Sequence, residues 1–396
     1  MPKVSKRGQN ILSSPIRKFL PLMLKAEIEG VKVFKLNVGD PDIAIPPQLL
    51  PAIKKYKNKS LGYAPSPGIS EHVAAWLKYY GDFGVKLKPE NLIPTVGGAE
   101  AILLAILATT DPGDEIIVFE PLYASYKGFA AMASVKLVPI TLKIENNFAL
   151  PPAKDIIKKI SRKTKAIVLI NPDNPTGAVR TRAEINRLVK IARGHNLFII
   201  TDETYREIVF FGQPGSVLQV PAAKNCTILV DSVSKRFSCP GARIGVIVSY
   251  NQVLMSAVLK FAMVRLSAPT LEQIGLIPIL KNARAYTKKI TREYKKRRDL
   301  VFTALTKIPG VKCQKPNGAF YIIAGLPVKN SEDFVKFLLT KFRYQNQTLM
   351  LTPAQDFYVT PGLGKNEVRL AYVLNTQSLK QAMLILKKAL EAYKNR

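Results

Sequence analysis

From about residue 90 to 250, short and nearly continuous apolar runs alternate with longer stretches in which apolar residues return every three or four positions. The runs at 115–119, 136–140, 166–170, 197–201, 227–230 and 244–248 have the length and β-branched content of buried strands, and the stretches between them have the period of amphipathic helices. This alternation predicts an α/β unit with a parallel sheet and crossover helices. Beyond a basic stretch at 281–298, which reads as a helix with lysine and arginine on several solvated faces, the pattern changes. An apolar run Ala319-Phe320-Tyr321-Ile322-Ile323, a helix over 331–341, a strand over 368–373 and a closing helix from Ser378 to about Tyr393 predict a smaller α+β unit. Pro46-Pro47 and the segment 63–68 break the N-terminal part into loops and short helices. No internal repeat is visible.

Ligands of open parallel sheets sit beyond the carboxyl ends of the strands, so the residues that follow each run carry the first functional information. Four runs end in polar residues. Glu120-Pro121-Leu122-Tyr123 follows the first, Asn171-Pro172-Asp173-Asn174-Pro175-Thr176-Gly177 the third, Asp202-Glu203-Thr204-Tyr205 the fourth and Asp231-Ser232-Val233-Ser234-Lys235 the fifth. An aromatic ring, an amide, an acid, a phenol and an amine would converge there. Each has a plainer reading: Asn171 to Gly177 is also turn chemistry, Asp202 also a helix cap, and Tyr123 also a core aromatic.

Composition narrows the class. The chain has 396 residues, 47% hydrophobic and 22% charged, enough for two or three domains with ordinary cores. No apolar run reaches the roughly 18–20 residues that span a bilayer, and the first residues lack a secretion signal, so a cytoplasmic protein with no membrane partner is expected. Cys226, Cys239 and Cys313 stand far apart, and only His72 and His195 are present, which argues against a disulfide framework and a metal site. Cys239 reads as a reactive thiol or as a packed small residue. A net charge of +31 raises the question of nucleic acid, yet the basic residues are spread along the chain, so no specific nucleic-acid partner is expected.

The stretch Ser232-Val233-Ser234-Lys235-Arg236-Phe237-Ser238-Cys239-Pro240-Gly241-Ala242-Arg243-Ile244-Gly245 makes the reading specific. It resembles the lysine segment of the class I/II aminotransferases, which are fold-type I enzymes dependent on pyridoxal 5'-phosphate (PLP), with a lean toward the aspartate branch. Asn171 to Gly177 and Asp202 to Tyr205 resemble two further elements of that family, and the likeness runs from about Leu36 to Tyr372. It implies a large domain at 46–290 with a mainly parallel seven-stranded sheet, and a small domain formed by 1–45 together with 291–396. It implies Lys235 as the Schiff-base lysine and proton carrier, Asp202 on the pyridine nitrogen, Asn174 and Tyr205 on the phenolate oxygen and Tyr123 on the ring face. Gly98, Ala99, Ser232, Ser234 and Arg243 would hold the phosphate, joined by Tyr63 from the second subunit of a homodimer with shared sites. Arg369 would grip the substrate carboxylate, with Asn174 beside it, and the Gly39 segment would close over it. The reaction implied is ping-pong amino transfer between an L-amino acid, aspartate-type by preference, and a 2-oxo acid such as 2-oxoglutarate. The same residues also serve PLP-dependent carbon–sulfur lyases and other α-carbon chemistry, and a PLP-sensing regulator is a further alternative.

Overall fold

The computed structural model describes residues 2–11, 14, 16–212 and 215–394. Its strands, in chain order, are β1 (Lys32–Lys35), β2 (Leu92–Val96), β3 (Glu115–Glu120), β4 (Lys136–Thr141), β5 (Thr164–Ile170), β6 (Phe198–Asp202) and β7 (Thr227–Ser232). They continue as β8 (Ile244–Val248), β9 (Lys312–Cys313), β10 (Tyr321–Gly325), β11 (Gln347–Met350), β12 (Thr352–Pro353) and β13 (Glu367–Ala371). Seven form one sheet in the order β2-β8-β7-β6-β5-β3-β4. Alternate residues enter opposite cores: Ile117, Phe119, Ile167 and Leu169 face one, Ile116, Val118, Ala166 and Val168 the other. Both faces are covered, which is why these strands read as unbroken apolar runs.

In the large sheet, two details depart from the sequence reading. The run at 244–248 was expected to join the parallel set, but β8 lies antiparallel to both β7 and β2. The segment 233–243 between β7 and β8 holds only a four-residue helix, Val233–Arg236, and a short turn, too little chain for a crossover that spans the sheet. It folds straight back, so Lys235 and Arg243 stay at the carboxyl end of β7. The other departure is β2, hidden by Pro94. As an edge strand paired only with β8, it tolerates the missing N–H.

The chain's two ends share a core. Phe19, Met23, Phe34 and Leu36 pack with Ile290, Tyr294, Phe334 and Leu386. Parallel pairing sets Lys32 opposite Gln347 and Lys35 opposite Met350. β12, β13, β10 and β9 form an antiparallel sheet that carries Arg369 on β13. The basic stretch is not one solvated helix: Asn282 separates the helices Thr270–Lys281 and Ala283–Thr306, and two of its arginines are buried. Arg297 donates to Asp42 at 2.6 Å and Glu293 at 2.9 Å, and Arg298 to the Pro316 carbonyl at 2.7 Å. Among the described residues no helix is long and apolar enough to cross a membrane.

Candidate active site

A cleft of about 660 Å³ opens beyond the carboxyl ends of β2, β3, β5, β6 and β7. Gly98, Ala99, Tyr123, Asn174, Asp202, Tyr205, Ser232, Ser234, Lys235 and Arg243 line it, and Gly39 and Arg369 close it from the other side. Tyr63 does not. It is 82% exposed on a loop outside this cleft.

Lys235 sits on the short helix Val233–Arg236 that β7 delivers to the cleft. Its ammonium donates to the Gly39 carbonyl at 2.7 Å. Burial pushes its pKa down to about 8; Asp40 opposes the shift, and the Arg369 and Arg243 charges add to it. The amine therefore loses its proton far more readily than a surface lysine.

Asp202, at the end of β6, is buried and accepts a bond from the Thr204 N–H at 3.1 Å. Burial raises its pKa to about 6; the Thr204 bonds hold it back and the Asp231 and Asp173 charges push further. Among the described residues no lysine, arginine or histidine forms an ion pair with it within 4 Å. A carboxylate so placed is suited to a protonated ring nitrogen arriving with a ligand.

Directly below lies a buried ionic network that the motifs did not reveal. Arg206 bonds Glu203 at 3.1 Å and lies 3.4 Å from Asp231, while Arg236 bonds Asp231 and lies 3.2 Å from Glu207. The Tyr80 hydroxyl donates to Asp231 at 2.8 Å and that of Tyr79 to Glu207 at 2.5 Å. Asp231, Arg236, Glu203 and Arg206 each neighbour a cleft residue in the chain, so this network holds the ends of β6 and β7 in register.

The helix Gly97–Leu107 points its N-terminus at the cleft, and no side chain caps it. The first N–H groups of a helix are unpaired donors in a positive field, a ready anion site. Ser232 and Ser234, 2.8 Å apart through their hydroxyls, and Arg243 bring further donors. Gly97, at φ +71°, admits the Arg243 guanidinium into space that a Cβ would fill. This donor set fits a phosphate dianion, and with Asp202 and Lys235 it fits the phosphate, ring nitrogen and aldehyde of PLP.

At the opposite wall Arg369 is buried, donating to Asn174 Oδ1 at 3.0 Å and to the Asn37 carbonyl at 2.5 Å. Its Nε has no partner and no carboxylate lies within 4 Å among the described residues. A buried guanidinium left without its counter-charge is prepared for a carboxylate ligand. Among the described residues the remaining cleft cation is Arg17, exposed at the mouth.

Several lining residues escaped the sequence reading. Thr204 and Ser125 stand beside recognised residues but carried no motif of their own, and Tyr321 looked like a strand aromatic. Cys239 is buried, its thiol donating to the Phe237 carbonyl at 2.9 Å, and burial pushes its pKa up to about 12, which makes it a packing residue. Among the described residues no group of three or more His, Cys, Asp or Glu could hold a metal.

The chain also resembles known proteins in sequence and fold. The family model for aminotransferase class I and II matches residues 31–384. The aspartate aminotransferase of Pyrococcus horikoshii is 32% identical over 398 residues, covering 99% of this chain and 98% of that protein. A double mutant of Thermus thermophilus aspartate aminotransferase superposes with a TM-score of 0.90 at 28% identity, covering 98% of this chain and 100% of its own. An alanine aminotransferase from Pyrococcus furiosus does so equally, at 0.90 and 29% identity, with the same coverage.

Proposed function

Because the chain belongs to the class I and II aminotransferase family and is a PLP-dependent aminotransferase, we propose that each cleft residue serves that reaction in a definite place. The observation that carries this is the pairing of a buried, easily deprotonated Lys235 with a buried Asp202 that has no ion-pair partner among the described residues, both facing one cleft. When bound, PLP supplies a carbonyl that condenses with amines and a ring that draws off electrons from the substrate α-carbon.

The protein's part is positioning and proton transfer. Lys235 Nζ, once free of its proton, would hold the cofactor; freed when substrate takes its place, it would accept the α-carbon proton and pass it on to the carbon that will bear the amine. Asp202 keeps the ring nitrogen protonated. Asn174 and Tyr205 donate to the phenolate oxygen, and Tyr123 covers the ring face. Gly98 and Ala99 N–H groups, the Ser232 and Ser234 hydroxyls and Arg243 hold the phosphate. Arg369 takes the substrate carboxylate on its free Nε edge beside Asn174, and the Gly39 segment, moving with the unit 1–45 and 291–396 against 46–290, excludes water.

Aspartate and 2-oxoglutarate are the substrate pair we favour. The relatives named aspartate aminotransferase, a net charge of +31 and Arg17, the one cleft cation among the described residues not already assigned a role, support this. The reading extends to a cytoplasmic homodimer. Tyr63 is exposed on a loop whose Gly62 carbonyl accepts from Thr270, and Leu61, Met263, Val264 and Leu266 are each about half exposed or more. A second copy would cover these apolar side chains and bring Tyr63 to its phosphate.

Spectroscopy tests the assignment. Holoprotein should absorb in the visible, lose that band with L-aspartate and regain it with 2-oxoglutarate. Retention of the band and of turnover in Lys235→Ala would refute it.

A further inference from the structure

Tyr205 is held by a second phenol. Tyr321 begins β10 with 2% of its surface exposed, and its hydroxyl lies 2.8 Å from that of Tyr205, itself 4% exposed. Each phenol carries one proton, so a bond between them consumes one and leaves the other to be aimed. Which proton is consumed decides whether Tyr205 donates into the cleft or only accepts there.

The surroundings make the choice. The Arg369 guanidinium lies 4.4 Å over the Tyr321 ring, and a cation on a phenol's face favours the phenolate and strengthens the O–H as a donor. Burial raises both phenols, but Arg369 is the foremost influence opposing this at Tyr321 and the least at Tyr205, behind Tyr321 and Tyr123. Tyr321 is thus the more acidic member, and the more acidic phenol donates. Packing leaves little room to turn away: a Cβ at Gly39 would overlap the Tyr321 hydroxyl, and the Tyr205 ring is held edge-on by Tyr321 at 5.6 Å and Phe320 at 5.3 Å. The other charged or titratable groups bearing on the pair include Tyr123, Asp202, Arg369, Tyr294 and Tyr372; Tyr372 donates to the Ala319 carbonyl, the Tyr294 hydroxyl has no partner, and among the described residues none of the five accepts a hydrogen bond from either hydroxyl.

We infer that Tyr321 is a positioning residue: it donates its proton to the Tyr205 oxygen and so directs the Tyr205 proton into the cleft, toward the phenolate oxygen of bound PLP. This rests on the role proposed above for Tyr205. Accepting that proton also polarises the Tyr205 O–H and makes it a stronger donor. Without it the cofactor's phenolate is less well stabilised, and the proton it shares with the lysine-linked nitrogen is held more tightly.

The readout is the pH midpoint of the visible band in holoprotein, compared among wild type, Tyr321→Phe, Tyr205→Phe and the double variant. Tyr321→Phe keeps the ring under Arg369 and removes only the hydroxyl. Its midpoint should rise by about half a unit or more, the scale of one weakened hydrogen bond. Tyr205→Phe should rise further, and the double variant should match Tyr205→Phe. An unmoved midpoint in Tyr321→Phe, or an equal added shift in the Tyr205→Phe background, overturns the inference. If Tyr321→Phe moves as expected while Tyr205→Phe does not move, the role of Tyr205 itself fails. A wild type with no visible band overturns both.

Discussion

The Lys235 amine is shifted by its surroundings more than by any single partner, since burial dominates and Asp40 only partly offsets it. Only the neutral amine attacks a carbonyl, and the neutral fraction grows with pH until the pKa is passed. The rate of PLP capture by the apoprotein should therefore climb about tenfold per unit below pH ~8 and level off above it, as stopped-flow absorbance would record. A rate still climbing at pH ~10 would mark an ordinary lysine. Arg17 makes a separate prediction. If it meets the distal carboxylate, Arg17→Met should raise KM for L-aspartate about tenfold and leave that for L-alanine alone, a difference steady-state kinetics would resolve. Equal effects on both would leave the distal carboxylate to some other group.

At the scale of elements, the ends of β6 and β7 depend on charges that never touch the cleft. Arg236 is wholly buried between Asp231, Glu207 and the Glu203 carbonyl, so Arg236→Met leaves Glu207 buried without a cation and Asp231 with Arg206 alone. A loss of about 3–5 kcal/mol in denaturant unfolding is expected, with weakened PLP retention because Lys235 is its neighbour. Loss of PLP without loss of stability would mean that Arg236 acts on the cofactor site alone. Six strands of the sheet were legible because burial on both faces leaves an unbroken apolar signature. The direction of β8 was not, because direction is set by the short return through 233–243 and not by the run itself. Site residues were legible where motif and strand end coincide, as at Asn174, Asp202 and Lys235. Tyr321 lay at the start of its strand and Arg206 and Arg236 behind the motif residues, places where a single sequence offers no pattern to separate chemistry from packing.

Across the whole molecule, 59 basic residues against 28 acidic ones create a field that favours anions. Its reach is about 8 Å at physiological ionic strength and shrinks with salt. Going from about 0.02 to 0.5 M NaCl should lower kcat/KM for L-aspartate more than for L-alanine, because the dicarboxylate carries the extra charge. Parallel salt profiles would show that the field does not select the substrate. The pairing of β1 with β11 has a consequence of another kind, in time. Residues 32–35 are synthesised about 300 residues before their partners at 347–350. The central sheet can assemble around Lys235 while that first strand waits, and Arg369 is translated later still. A nascent chain would then hold its cofactor before it could grip a substrate, and stay unable to act until 347–371 had joined 32–35.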